Sequence, residues 1–234
     1  MNWEMVHLDE TDSTNRWLRE HGGGDVVVVA DYQTSGRGCG TNQWESQRGC
    51  NLLFSFLLHP VEIPVREQFR VSEVVSVALC TTLLTYSEGF SIKWPNDIYW
   101  HDHKICGMLI ENRVVGMQLA ESIVGIGLNV NQKVFLSDAP NPVSLCQIVG
   151  HDVDRMKILH EFLKQLESLW TSGGVGEDYR CLLYRRNVEA DYADAAGRFR
   201  AILTQVESDG RLVLTLADGQ KRRYAFKEVS FIYK

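Results

Sequence analysis

A chain of 234 residues, 44% apolar and 23% charged, can build one large domain or a main domain with a small appendage; disordered and fibrous classes are excluded. A formal net charge of −6 disfavours bulk nucleic-acid binding but leaves room for a small phosphate-bearing ligand over a local basic patch. Residues 1–12 hold no basic stretch followed by an apolar run. No window offers the roughly 18 apolar residues of a bilayer span, so a cytoplasmic protein is expected.

In chain order, Ser13-Thr14-Asn15 supplies capping side chains ahead of a short helix over residues 16–21. A glycine-rich turn at 22–25 precedes Val26–Ala30, an apolar β-branched run that reads as a buried strand, and residues 51–58 read as a second. Apolar spacing near 3.6 predicts a helix over 67–88, stopped by Gly89. Strand-like stretches follow at 91–94, 105–111 and 118–126, then an amphipathic helix over 155–171. After about Arg186 the texture changes to short strands at 199–206, 212–216 and 224–226, separated by Asp-Gly turns. Six cysteines (Cys39, Cys50, Cys80, Cys106, Cys146, Cys181) form no C-x-x-C pair, so neither a zinc site nor a disulfide is expected. Apart from Cys39, most of them read as small buried residues.

Four segments carry polar groups beside glycines. Gln33-Thr34-Ser35-Gly36-Arg37-Gly38-Cys39-Gly40 follows the first strand; its glycines let backbone approach a ligand, and Arg37 can grip a carboxylate or phosphate. In Lys93-Trp94-Pro95-Asn96-Asp97, the proline holds Trp94 extended and leaves Asn96 and Asp97 at a strand-end turn. Lys104-Ile105-Cys106-Gly107-Met108-Leu109-Ile110-Glu111 brings a lysine into an apolar strand with a glycine three residues on. Gly125-Ile126-Gly127-Leu128-Asn129 ends a strand on two glycines and an amide. Taken singly, each also reads as an ordinary surface loop, turn or solvated strand end. The spacing of the first fits neither the dinucleotide fingerprint nor the nucleotide P-loop.

In this order, the segments resemble the biotin–protein ligase family: a D-S-T-N opening at 12–15, a Q-x-x-G-R-G loop running to Trp44, K-W-P-N-D at 93–97, K-x-x-G-x-L-x-E at 104–111 and G-x-G-x-N at 125–129. The resemblance implies an α+β fold: a mixed sheet flanked by helices, the class II synthetase-like biotin/lipoate ligase core, over residues 1–186, with an SH3-like β-barrel over 187–234. It implies activation of biotin by ATP with Mg²⁺ to biotinyl-5′-AMP, then transfer to a lysine of a biotin carboxyl carrier protein. Arg37 and Lys104 would be catalytic. Ser13, Thr14, Asn15, Gln33, Gly36, Arg37, Gly38, Lys104, Gly107, Leu109, Gly125 and Gly127 would bind biotin. Arg37, Cys39, Asn42, Trp44, Lys93, Asn96, Asp97 and Asn129 would hold ATP or the adenylate. A homodimer joined through sheet edges is a further expectation.

Two departures from the family stand out. Cys39 occupies a position where basic residues often follow the G-R-G, and no DNA-binding winged helix precedes the 12–15 motif, so operator binding is not expected. A lipoate or octanoate ligase or transferase shares fold and acyl chemistry, but its R-R-x-x-G-G-G and H-D motifs are missing. A non-catalytic biotin-sensing regulator and an inactive paralogue complete the alternatives.

Overall fold

The computed structural model describes residues 3–38, 40, 43–60, 63–136 and 141–233. An edge strand β1 (Glu4–Leu8) leads through α1 (Thr14–His21) to β2 (Val26–Ala30), which pairs with it in parallel. The fully buried β3 (Leu52–Leu58) follows, then α2 (Phe69–Leu84), β4 (Phe90–Lys93), β5 (Asp97–Trp100), β6 (His103–Val115) and β7 (Gln118–Leu128). These strands form one seven-stranded mixed sheet in the order β1-β2-β3-β7-β6-β5-β4; every pairing except β1 with β2 is antiparallel. Then come α3 (Leu145–Val149), α4 (Arg155–Ser172) and α5 (Gly176–Cys181).

Period-two alternation decides which side of the sheet does what. Val27 and Val29 of β2 and Val124, Ile126 and Leu128 of β7 join the main core beneath α2 and α4. Val26 and Val28 point to the other face, where they pack with Leu18 of α1. On that second face β6 and β7 present Gly107, Leu109, Gly125 and Gly127, and the three glycines are less buried than their neighbours on the core side. α1 lies beside these glycines. Its N-cap position is Ser13, whose side chain makes no capping bond, so Thr14 and Asn15 sit inside the first turn rather than ahead of the helix.

α4 begins where Asp154 accepts the amides of Met156 and Lys157 (2.8 and 3.2 Å) and ends at Gly173 with φ +80°. Arg155, in its first turn, donates to Asn51 O (3.0 Å) and Asp31 Oδ1 (2.9 Å), tying the helix to the ends of β2 and β3.

The remaining strands are β8 (Glu189–Asp194), β9 (Gly197–Val206), β10 (Leu212–Thr215), β11 (Lys221–Tyr224) and β12 (Ser230–Phe231), an antiparallel sheet ordered β11-β10-β9-β8-β12. The barrel expected here is an open five-stranded sheet: among the described residues no pairing joins β11 to β12. Its side chains Tyr192, Leu203, Leu212, Leu214 and Phe231 merge with the main core. Trp94 Nε1 donates to Gly210 O (2.9 Å), Gly210 lies against the Phe69 ring, and Tyr233 and Tyr99 hydroxyls meet at 3.1 Å.

Several expected boundaries move. The helix predicted over 67–88 is a 3₁₀ turn at Val65–Glu67 followed by α2. It stops at Leu84, where the Thr85 hydroxyl (2.7 Å) and amide (3.2 Å) both donate to Thr82 O and the Tyr86 amide tightens onto Leu83 O (2.9 Å). Gly89, with φ +92°, instead turns the chain into β4 beside His101. The strand expected at 224–226 is β11, because the Asp218-Gly219 turn closes early and charged Lys221-Arg222-Arg223 hides the alternation. Cys80, Cys106 and Cys146 are buried, whereas Cys50 is half-buried and Cys181 exposed.

Candidate functional site

The floor of the site is built from missing side chains. Gly107 and Gly127 face each other across the β6–β7 pairing, with Leu109 opposite Gly125 one step along. The Trp44 indole lies over the first pair. A Cβ on Gly107 would come 2.9 Å from Trp44 Cζ3, and one on Gly127 would strike the pyrrole side of the ring. Glycine is required here for close approach, since neither residue has a positive φ. Trp44 is held by its own backbone: its amide donates to Gly36 O (3.0 Å), and Arg37 and Gln43 bridge just beyond. Gly36 is buried against Trp44, leaving no room for a side chain. The indole Nε1 is buried with no hydrogen-bond acceptor among the described residues.

One wall is a continuous polar chain from α1 to the sheet. The Thr14 amide and hydroxyl donate to Gln33 Oε1 (2.8 and 3.1 Å). Ser55 Oγ lies 2.6 Å from both Thr14 Oγ1 and Asn15 Oδ1, so its single proton serves one at a time. Asn15 Nδ2 donates to Glu111 Oε2 (2.8 Å) and more weakly to Leu109 O (3.4 Å), and Arg19 closes the chain on Glu111 Oε1 (2.6 Å). Asn15 packs directly on Gly125, where any Cβ would overlap its side-chain oxygen. Thr14, Asn15 and Ser55 are almost wholly buried, a costly arrangement unless each polar group is paired. The Ser13 hydroxyl and the Gln33 amide nitrogen have no partner among the described residues, so the chain ends in free donors.

At the other end of the floor Lys104 Nζ pairs with Asp97 Oδ2 (2.7 Å) and lies 6.0 Å from the Trp44 ring centroid. Antiparallel pairing of β5 and β6, with a bulge at Ile98/Tyr99, brings the two together. Arg37 is exposed and has no carboxylate partner among the described residues. The neighbouring Cys106 thiol is pushed well above its ordinary range, by burial first and then by Asp97, so it is no candidate nucleophile.

The other residues singled out by sequence are less close-knit. Gly38 is half-buried beside Arg37, and Asn96 occupies the β4–β5 turn. Asn129 is buried; its Nδ2 donates to Val143 O (3.1 Å) while its Oδ1 has no partner among the described residues. Lys93 turns toward the C-terminal sheet, its ammonium 5.1 Å from the Phe231 centroid and 5.7 Å from that of Tyr99. Burial lowers its pKa from the ordinary lysine value; Asp97 opposes that shift and Lys104 reinforces it. Cys39 and Asn42 lie outside the described residues. Ser55 completes the wall without having been singled out, and Glu111, the last residue of the 104–111 motif, had been given no role. Ser55 had a legible signal, being the only polar residue of the run Leu52–Leu58.

With this geometry in hand, comparison with known proteins defines the class. The model of the Biotin/lipoate A/B protein ligase family matches residues 8–129, just over half of the sequence, and the chain belongs to that family. The "Bifunctional ligase/repressor BirA" of Bacillus subtilis (strain 168) is 27% identical over 96% of this chain and 73% of its own length. The "Biotin--[acetyl-CoA-carboxylase] ligase" of Mycobacterium tuberculosis is 29% identical over 71% of this chain and 64% of its own. Among solved structures, the biotin protein ligase from Aquifex aeolicus in complex with biotin and ATP superposes with a TM-score of 0.82 at 28% identity, covering 98% of this chain and 99% of that one.

Proposed function

We propose that the chain is a biotin–protein ligase that activates biotin with ATP and transfers it to a lysine of a biotin carboxyl carrier protein. The observation that carries this is the glycine floor covered by the Trp44 indole, with free polar donors at one end and the Lys104–Asp97 pair at the other. A flat bicyclic acid would lie on that floor in place of the indole: Ser13 and the Gln33 amide would meet its ureido group, and its carboxylate would reach toward Lys104 and Arg37.

In the first step a biotin carboxylate oxygen attacks the α-phosphorus of ATP, and the bond from that phosphorus to the α,β-bridging oxygen breaks to release pyrophosphate. Like charges approach, so Lys104 and Arg37 contribute by stabilising the charge that develops. In the second step the carrier lysine amine attacks the acyl carbon, AMP leaves, and the amine loses a proton. Asp97 and Asn129 would hold Mg²⁺, which neutralises polyphosphate charge; the buried Asn129 Oδ1, without a partner among the described residues, suits such a cation. Gly36, Gly38, Trp44 and Asn96 would line the nucleotide side.

On this reading the catalytic unit would comprise residues 1–186 and the C-terminal unit 187–234, in a cytoplasmic setting that suits ATP use and the buried free thiols of Cys80, Cys106 and Cys146. Pairing of two copies through an open edge such as β1 would give a homodimer. The deciding experiment is ATP–pyrophosphate exchange with biotin or lipoate, followed by radiolabelled biotin transfer to a purified carrier domain. Exchange dependent on lipoate alone, or no exchange with either, overturns the reading.

A further inference from the structure

The polar chain along α1 ends on a carboxylate, and that end sets the direction of the protons within it. Asn15 Nδ2 lies 2.8 Å from Glu111 Oε2 and 3.4 Å from Leu109 O, two oxygens that only accept. Arg19 holds the other Glu111 oxygen at 2.6 Å and keeps the carboxylate turned to Asn15. The Asn15 amide is therefore fixed one way round, and its Oδ1 faces Ser55 Oγ at 2.6 Å. Among the described residues Ser55 is the only donor to that oxygen; Ser55 is wholly buried and Asn15 nearly so. Two hydroxyl protons serve three contacts: Ser55 with Asn15 (2.6 Å), Ser55 with Thr14 (2.6 Å) and Thr14 with Gln33 Oε1 (3.1 Å). With both protons directed toward Gln33, Asn15 Oδ1 is a buried acceptor without a donor, the costly case. With both directed toward Glu111, each short contact holds a proton, and Gln33 Oε1 still has the Thr14 amide at 2.8 Å. The second arrangement orphans no buried group, and it is Glu111 that selects it.

Thr14 Oγ1 then spends its proton inside the wall and presents lone pairs, next to the free donor Gln33 Nε2. An acceptor beside a donor complements the edge of a cyclic urea, where N–H adjoins C=O. We propose that Glu111 is a positioning residue: acting through Asn15 and Ser55, it makes Thr14 an acceptor and so selects ligands that carry a free ureido N–H. The proposal rests on the ligase reading above and adds a source for its specificity that lies behind the wall. Glu111→Gln removes the constraint at nearly constant shape, because an amide donates as well as accepts. Asn15 is then free to turn over and donate to Ser55, Ser55 to Thr14, and Thr14 outward. The wall's polarity reverses without loss of a side chain.

The test is calorimetric titration of the full chain with biotin and with the two cyclic carbamates in which one or the other ureido N–H is replaced by oxygen. The parent is expected to prefer biotin over at least one carbamate by about a hundredfold or more, since an acceptor there would face an oxygen. Glu111→Gln should bind biotin about tenfold more weakly and that carbamate equally or more tightly, so the preference narrows by at least about tenfold. Mg-ATP, titrated separately, should bind both proteins alike. Ser55→Ala, which interrupts the chain at its middle, should narrow the preference too, and the double variant should narrow it no further than the stronger single one. An unchanged preference in Glu111→Gln overturns the proposal. So does an equal loss for biotin and both carbamates, the mark of a wall that has merely loosened, and so does a parent without any preference. Biotin-dependent pyrophosphate exchange by the parent is measured on the same preparations. A parent that binds biotin without exchange sinks the ligase reading and leaves the preferences to decide on Glu111; a parent that binds no biotin sinks both.

Discussion

Lys104 and Gly127 test the charge and the floor of the site. Lys104 has its charge balanced by Asp97 and stands beside Trp44, so Lys104→Ala should slow adenylate formation by about 100-fold or more, the scale of losing a charge-stabilising group. Pyrophosphate exchange measures this, and a near-normal rate would remove Lys104 from the chemistry. Gly127→Ala drives a methyl into the indole. Overpacking of that kind costs about 1–3 kcal/mol, so biotin affinity should fall by roughly tenfold while ATP affinity changes little. Isothermal titration with each ligand checks the split; equal losses for both would mean that the floor is structural. At this scale the sequence was readable where a residue type is odd for its place: glycines inside β-branched strands, a lysine entering an apolar run, one serine among Leu52–Leu58. Partnerships were not readable. The Lys104–Asp97 pair depends on a bulged register, and Asn15 reaches Glu111 only through tertiary folding.

Elements are joined by charged groups whose titration can be predicted. Asp31, at the end of β2, is shared by Arg155 of α4 and by His7 of β1, 3.4 Å away. Burial alone would raise its pKa, but hydrogen bonding and attraction from Arg155, aided by His7, outweigh it and hold the carboxyl below its ordinary value of 3.8. A depressed folded pKa stabilises above the unfolded value and loses that contribution as pH falls through the folded one. Unfolding temperature should therefore drop below about pH 4, and Asp31→Asn should flatten that acid limb while lowering stability at neutral pH. Equal acid slopes in parent and variant would show that the α4 tether is not electrostatic. Strands β2 and β3 and helix α4 were legible because their apolar pattern is strong and their caps ordinary. The strands β1, β5 and β8 were not, since Glu4–Leu8 mixes exposed and half-buried positions and Glu189–Asp194 is rich in carboxylates answered by Arg200.

The two sheets share one contiguous core, so the whole chain should unfold in a single transition. Calorimetric and van't Hoff enthalpies should agree. Two resolved transitions would show that the C-terminal sheet is an independent unit. Trp94→Phe keeps most of the packing and deletes the bond to Gly210, at a cost of about 1 kcal/mol, and should lower that one transition without splitting it. The compositional break near Arg186 marks the change of architecture in the sequence, but it says nothing about how firmly the parts adhere. That adhesion is made of an indole matched to a carbonyl, a ring matched to a bare α-carbon at Gly210, and a tyrosine matched to a tyrosine. The C-terminal sheet is consequently a poor cassette. A chimera crossed over near residue 186 inherits one half of each match from each parent. Recombination among relatives should succeed only when Phe69, Trp94 and Tyr99 travel with Gly210 and Tyr233, however freely the surface strands between them are exchanged.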